Sequence, residues 1–224
     1  MAIPAGPGAL LADEIGALLD IVDTATETDL IRASGCLGWR VADVIVHLRL
    51  DAEGILSGLA SPSPAAPDRD YITYWRDWPV TGPATFADVR WTWAAAAMYA
   101  SSAGLRQHFR DVSTAAARAV CQPPAGPAVL FQRHVLAADD FVAMWLTEYV
   151  LHHLDLIAEL PWAPGPAAAG LDLVASTLDG LTGGPRLPHW DTETYARKGT
   201  GRLPLTGDER QDLGARAGRY PAFG

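Results

Sequence analysis

The sequence is poor in the residues that would mark several large classes of protein. Cysteine occurs only at Cys36 and Cys121, in a chain long enough to bury an adequate core, so a disulfide framework is not required and both thiols are read as reduced. Lysine occurs once, at Lys198, and the arginines that make up the rest of the 17 basic residues form no run. With a net charge of -9 this excludes the clustered cations that a nucleic-acid partner needs. No stretch approaches the roughly 18 uncharged apolar residues of a membrane helix, and Met1 to Gly8 has no basic segment of a secretory signal. The expectation is a soluble, cytoplasmic protein. No internal repeat is visible. What is present is ordinary globular material: 224 residues, 49% hydrophobic and 19% charged, enough for one core with an appendage.

Apolar periodicity organises the chain into helices. Leu10 to Thr28 carries Leu11, Ile15, Leu18 and Val22 at spacings of three and four. A second run from Val41 through Leu56 contains His47, with Asp43 in its first turn, where a carboxylate suits the helix dipole. Gly58 to Thr85 holds Pro62, Pro64, Pro67, Pro79 and Pro83 and reads as a long connection. Phe86 to Val120, free of proline, reads as one long third helix, and Val135 to Leu160 as a fourth ended by Pro161. A long crossover between the second and third helices permits an all-α, up-down-down-up four-helix bundle over residues 1–160. Residues 161–224 then form a short helical extension packed on the bundle, with a fifth helix over about Ala167 to Leu181.

One constellation carries chemistry. Glu148 and His152 are four residues apart, so their side chains lie within about 40° on one helix face. His153 points about 140° away from Glu148, while Asp155 returns to the shared face, where it can accept the free ring N–H of His152. His47 sits in the apolar middle of the second helix, where an unpaired imidazole is costly. A lone histidine on such a helix is more often a satisfied core residue than a ligand. Two imidazoles and a carboxylate from two facing helices nevertheless suit a divalent metal, zinc above all, with the fourth position open.

The neighbourhood adds specificity. Cys36-Leu37-Gly38-Trp39-Arg40-Val41-Ala42-Asp43-Val44-Ile45-Val46-His47-Leu48 resembles the C-x-G-W-t-v-x-D-v-x-x-H-l signature of the mycothiol-dependent maleylpyruvate isomerase family, a branch of the DinB-like four-helix metalloproteins. Glu148 to Leu156 resembles its second signature, E-x-x-x-H-x-x-D-l. The resemblance spans Leu10 to Leu160 and implies the metal ligands His47, Glu148 and His152, the trio that helix geometry also selects. It implies mycothiol as a thiol cosubstrate. Where the family often has Ser or Thr, this chain has Arg40, which cannot cap the second helix by accepting a backbone N–H. The founding isomerase has a mixed α/β C-terminal domain that contributes an arginine, whereas the residues after Leu160 read here as helix and loop.

Coordination to a zinc-like ion strips a thiol of its proton at neutral pH and leaves a thiolate nucleophile. Since neither Cys36 nor Cys121 is expected on a ligand face, the thiol is external. The resulting expectation is a thiol-dependent S-transferase acting on a small electrophile, in a monomer or homodimer, with His47, Glu148, His152 and Asp155 as its catalytic machinery. The alternatives are a cis-trans isomerase of a maleylpyruvate-like substrate and a non-catalytic metal- or ligand-binding bundle. The aromatic stretch Asp70 to Trp78 suits stacking on a substrate or covering the cleft, with Tyr74 and Trp75 as candidate cofactor-binding residues, the alternative being a hydrophobic staple that packs the loop on the bundle. Arg202 is a candidate for cofactor binding, because Arg197, Lys198 and Arg202 resemble a stretch near the end of shorter family members, although a solvated basic turn is the simpler reading. Cys36 is read as a packing residue, and His108, His134 and His189 have no assignable partner.

Overall fold

The computed structural model describes residues 6–78 and 86–223, so Pro79, Pro83 and Thr85 of the long connection and the first five residues lie outside it. The described residues are mostly helical. Helix α1 (Pro7–Thr24) opens with a proline in its first turn and buries Leu11, Ile15, Leu18 and Val22. It ends earlier than its periodicity predicts, because Thr26 caps a separate short helix, α2 (Glu27–Leu30), through a reciprocal bond with Asp29.

Helix α3 (Val41–Leu59) carries His47. Its problematic start is resolved by Asp43, whose carboxylate accepts the backbone N–H of Arg40 at 2.8 Å and two guanidinium bonds at 3.1 Å. The arginine at the cap position is thus held by the carboxylate rather than doing the capping.

The expected single third helix is two helices, α4 (Phe86–Ala96) and α5 (Ser102–Val120). Ser101 accepts the Gly104 N–H at 3.2 Å and restarts the helix, a stop that the surrounding alanines conceal. The largely helical, all-α expectation holds, with one small sheet added to it. Strands β1 (Pro62–Ser63), β2 (Ala128–Phe131) and β3 (His134–Ala137) form a small antiparallel sheet in that order. Val129 pairs with Leu136 and Leu130 with Val135, around a two-residue turn in which Gln132 and Arg133 both have positive φ, 44° and 68°. The first residues assigned to the fourth helix are therefore strand, and α6 runs Ala138–Leu156.

Helix α6 is buried along nearly its whole length, in contact with α1 and α3; α5 packs on the same two helices. The α3–α6 contact is close because Gly58 faces the Phe141 ring, where an added Cβ would come within 2.3 Å of ring carbon. Tyr149 ties the two helices further by donating its hydroxyl to the Leu48 carbonyl at 3.1 Å. Beyond it, α7 (Ala168–Thr182) lies on α6 and α1, α8 (Thr192–Gly199) lies on α7, and α9 (Gly207–Leu213) follows. Among the described residues no helix is long and apolar enough to cross a membrane.

Candidate metal centre and its cavity

The α3–α6 contact brings His47 against Glu148 and His152. Glu148 Oε1 lies 3.1 Å from His152 Nε2 and 3.4 Å from His47 Nε2, and the three donor atoms all fall within 4.8 Å of one another. The two imidazoles meet edge to face at 4.5 Å, and Trp39 covers them, with ring centroids 5.1 Å from His47 and 6.3 Å from His152. His153 faces away, as its helix position requires: its ring nitrogens meet Glu14 and the Pro164 carbonyl in the core.

Asp155 holds His152 in register. Its Oδ2 lies 3.0 Å from His152 Nδ1, which turns Nε2 toward Glu148 and His47. Arg202 grips the same carboxylate from the C-terminal extension, Nε to Oδ1 at 2.8 Å and Nη2 to Oδ2 at 2.7 Å. The tail cluster is therefore not a solvated basic turn: Arg202 is paired with Asp155, Lys198 with Glu209 and Arg197 with Glu193. Burial alone would raise the Asp155 carboxyl, but Arg202 and His152 outweigh it and hold it well below the carboxylate range. Glu148 is likewise low, burial being overcome by the His152 and His47 imidazoles. Burial pulls His152 down, yet Glu148 and Asp155 raise it well above its ordinary value.

Two residues that the sequence reading left aside stand at the site. Cys36 is the first: its Sγ donates to Asp155 Oδ2 at 3.2 Å and lies 3.7 Å from His152 Nδ1, with burial pushing the thiol up. The expectation that neither cysteine approaches the ligands is wrong for Cys36 and right for Cys121, which is exposed near Gly8. The loop reaches the site because Gly35 packs on α6, its N–H donating to the Asp155 carbonyl at 2.8 Å; a Cβ there would sit 2.5 Å from Asp155 Oδ1. Asp51 is the second. It follows His47 by four residues, the spacing that singled out Glu148 and His152, and its Oδ2 lies 3.4 Å from His47 Nε2. Burial pushes its carboxyl up to about 6, against the pull of His47.

The trio opens on a cavity of about 280 Å³ walled by Tyr74, Trp75, Trp78, Met144, Trp145 and Phe223, with Asp51, Gln132 and Arg202 among its polar lining. Tyr74 donates to Gln132 at 2.7 Å, and Trp75 stacks on Phe223 at 4.4 Å. Tyr71, from the same stretch, is buried beside Asp140 instead. The described part of the connection is thus a folded wall, its 3-10 turn at Thr73–Asp77 tied to the β-hairpin through Tyr74 to Gln132 and Asp77 to His134. The remaining histidines have structural partners: His108 with Tyr99, His134 with Asp68 and Asp77, His189 with Glu209.

The donor set fits a divalent ion. Two imidazoles and a carboxylate converge, one imidazole is braced from behind, and Asp51 Oδ2 is buried without a hydrogen-bond donor, a deficit that a nearby cation relieves. Cys36, His152 and Asp155 form a second group of donor atoms within the same limit, but Arg202 already occupies both Asp155 oxygens.

Fold and site together define a largely helical protein with an imidazole–carboxylate centre at the base of an aromatic pocket. Residues 11–157 match the family described as the mycothiol maleylpyruvate isomerase N-terminal domain, and the chain belongs to that family. Membership points to mycothiol-related isomerase or transferase chemistry. No curated protein and no solved structure matches the chain.

Proposed function

We propose that the chain is a metal- and thiol-dependent enzyme that uses mycothiol to attack a small electrophile, with transfer of the thiol as the outcome. The observation that carries this reading is the convergence of His47, Glu148 and His152 at the floor of the cavity. A divalent ion held there, zinc by the nature of the donors, supplies the Lewis acidity that deprotonates a thiol at neutral pH. His47, Glu148 and His152 hold it, and Asp155 fixes the tautomer and direction of His152. Tyr74, Trp75 and Trp78 offer flat surfaces for the electrophile and exclude water from the site. In this reading α1, α3, α5 and α6 are an up-down-down-up, DinB-like bundle over residues 1–160. Residues 161–224 are an extension that completes the cavity through Arg202 and Phe223. The protein works in the cytoplasm as a monomer or homodimer.

Isomerisation is the second reading, supported by the family description and by Arg202, an arginine from the C-terminal part that lines the cavity. Addition of the thiol to a conjugated alkene, bond rotation and expulsion of the same thiol need no other site. The deciding experiment incubates zinc-loaded protein with mycothiol or glutathione and a panel of electrophiles, including maleylpyruvate, followed by mass spectrometry. Mycothiol conjugates formed faster than glutathione conjugates support transfer, whereas an isomer with no net loss of thiol supports the second reading. The Cys36→Ser/Cys121→Ser double variant is expected to remain active with added thiol. No turnover with any electrophile leaves a ligand-binding bundle.

A further inference from the structure

Asp51 has no role in the trio of ligands, yet its setting is unusual for a carboxylate. It lies on α3 one turn beyond His47, is only 8% exposed, and lines the same cavity. Its Oδ2 is fully buried and accepts no hydrogen bond. The charged groups that face it are His47, Glu148 and His152; the other cation of the cavity wall, Arg202, is committed to Asp155. Arg49, nearby on α3, pairs with Glu53.

Asp51 lies outside the trio of converging donors, but its distance to His47 is that of two atoms sharing one ion. His47 Nε2 is 3.4 Å from Asp51 Oδ2 and 3.4 Å from Glu148 Oε1. Donors bound tetrahedrally at about 2.0 to 2.1 Å stand about 3.3 Å apart. Once His47 Nε2 is committed to a metal it has no proton to offer Asp51, so the carboxylate keeps no partner unless it shares the cation. Two carboxylates then balance a divalent charge, and both imidazoles remain neutral.

We propose that Asp51 is a fourth protein ligand at this centre, occupying in the resting protein the position that the thiol must take. The proposal rests on the metal reading above. Asp51 stands outside the tight trio, so its carboxylate moves in when the ion binds and moves out when a thiol replaces it. The incoming thiol then meets a gate of this chain's own making, and resting protein is shielded from adventitious small ligands.

Cobalt(II) is the probe. Full-length wild type, Asp51→Asn and Asp51→Ala are titrated with cobalt, following the visible absorption bands for coordination and competition with a chromophoric chelator for affinity. The expectation is a loss of affinity of about tenfold or more in both variants, bands displaced from those of wild type, and a smaller rise in Tm on adding metal. Asparagine is isosteric, and the oxygen it alters has no hydrogen-bond partner to lose, so the metal-free Tm of Asp51→Asn should be at or above wild type. Bands identical to wild type in both variants overturn coordination by Asp51, whatever the affinity. A folded wild type that binds no cobalt brings down the metal reading itself, a distinct result.

Discussion

His152 and His153 are neighbours in sequence with opposite fates, and the difference is helical geometry alone. His152 turns to the cavity between Glu148 and Asp155, whereas His153 is enclosed with Glu14 in the core. His47→Ala and His152→Ala should therefore each lose the metal while remaining folded, as read by metal analysis and circular dichroism. His153→Ala should keep one metal per chain but lose about 1 to 3 kcal/mol of stability, because it leaves the buried Glu14 carboxyl without its partner. Arg202 is a positioning residue of another kind, acting on the centre through Asp155. Arg202→Ala should lower Tm, since breaking one half of a buried ion pair costs about 3 kcal/mol or more, and should weaken metal affinity about 10- to 100-fold. Arg202→Lys restores charge but not the two-pronged grip, so it should recover Tm more than affinity. Equal metal affinity in all three proteins would detach Arg202 from the centre.

The legible part of the site is the part written along single helices. Glu148, His152 and Asp155 recur at helical spacing, so one helix already defines a ligand pair and its brace. Asp51 is equally legible, four residues from His47 on the same helix, but three donors already satisfy the ligand pattern without it. Arg202 is legible as a candidate site residue, but its grip on Asp155 and the approach of Cys36 to that carboxylate are not, because they depend on how the tail folds back and on how Gly35 seats a loop on α6, both long-range events.

At the scale of elements, helices with strong periodicity and clear punctuation are read correctly, and the misreadings fall where punctuation is weak. The β2–β3 hairpin turns on Gln132 and Arg133, two residues with positive φ where Asn-Gly would announce the turn, and it escapes notice for that reason. The break before α5 hides in an alanine-rich stretch without proline, with only Ser101 to mark it. The segment after α3 does more than connect. Its 3-10 turn sets Tyr74 and Trp75 in the cavity wall, braced by Gln132 of the hairpin and Phe223 of the tail. Trp75→Ala should raise KM for the electrophile severalfold with metal content unchanged, and Tyr74→Phe should have a milder effect by freeing Gln132. A fall in kcat at constant KM would instead mean that these rings position the transition state.

At the scale of the molecule, the C-terminal residues are tied to α6 through Arg202 and Asp155, and they are held together among themselves by Glu209. Glu209 accepts from Lys198, Trp190 and the Thr206 N–H. Burial alone would raise its carboxyl, but these donors hold it at about 2, below its ordinary 4.5. A depressed carboxylate contributes stability that is fully present above the unfolded value and is lost as pH falls through the folded one. Tm of the wild type should therefore drop between about pH 5 and pH 2 more steeply than that of Glu209→Gln, whose Tm should be lower at pH 7. Parallel pH profiles for the two proteins would exclude this linkage.

Trp39, described above as the cover over His47 and His152, also makes the centre visible to light. An indole within 5.1 Å of one imidazole and 6.3 Å of the other is close enough for its emission to be quenched by an open-shell ion bound between them, while closed-shell zinc leaves it bright. Cobalt should dim the native protein in proportion to occupancy, and Trp39→Phe should lose the part of that response due to the covering ring. The residual change reports the indoles of the cavity wall, Trp75, Trp78 and Trp145. The chain thus carries its own optical gauge of metal loading, usable without label, substrate or turnover.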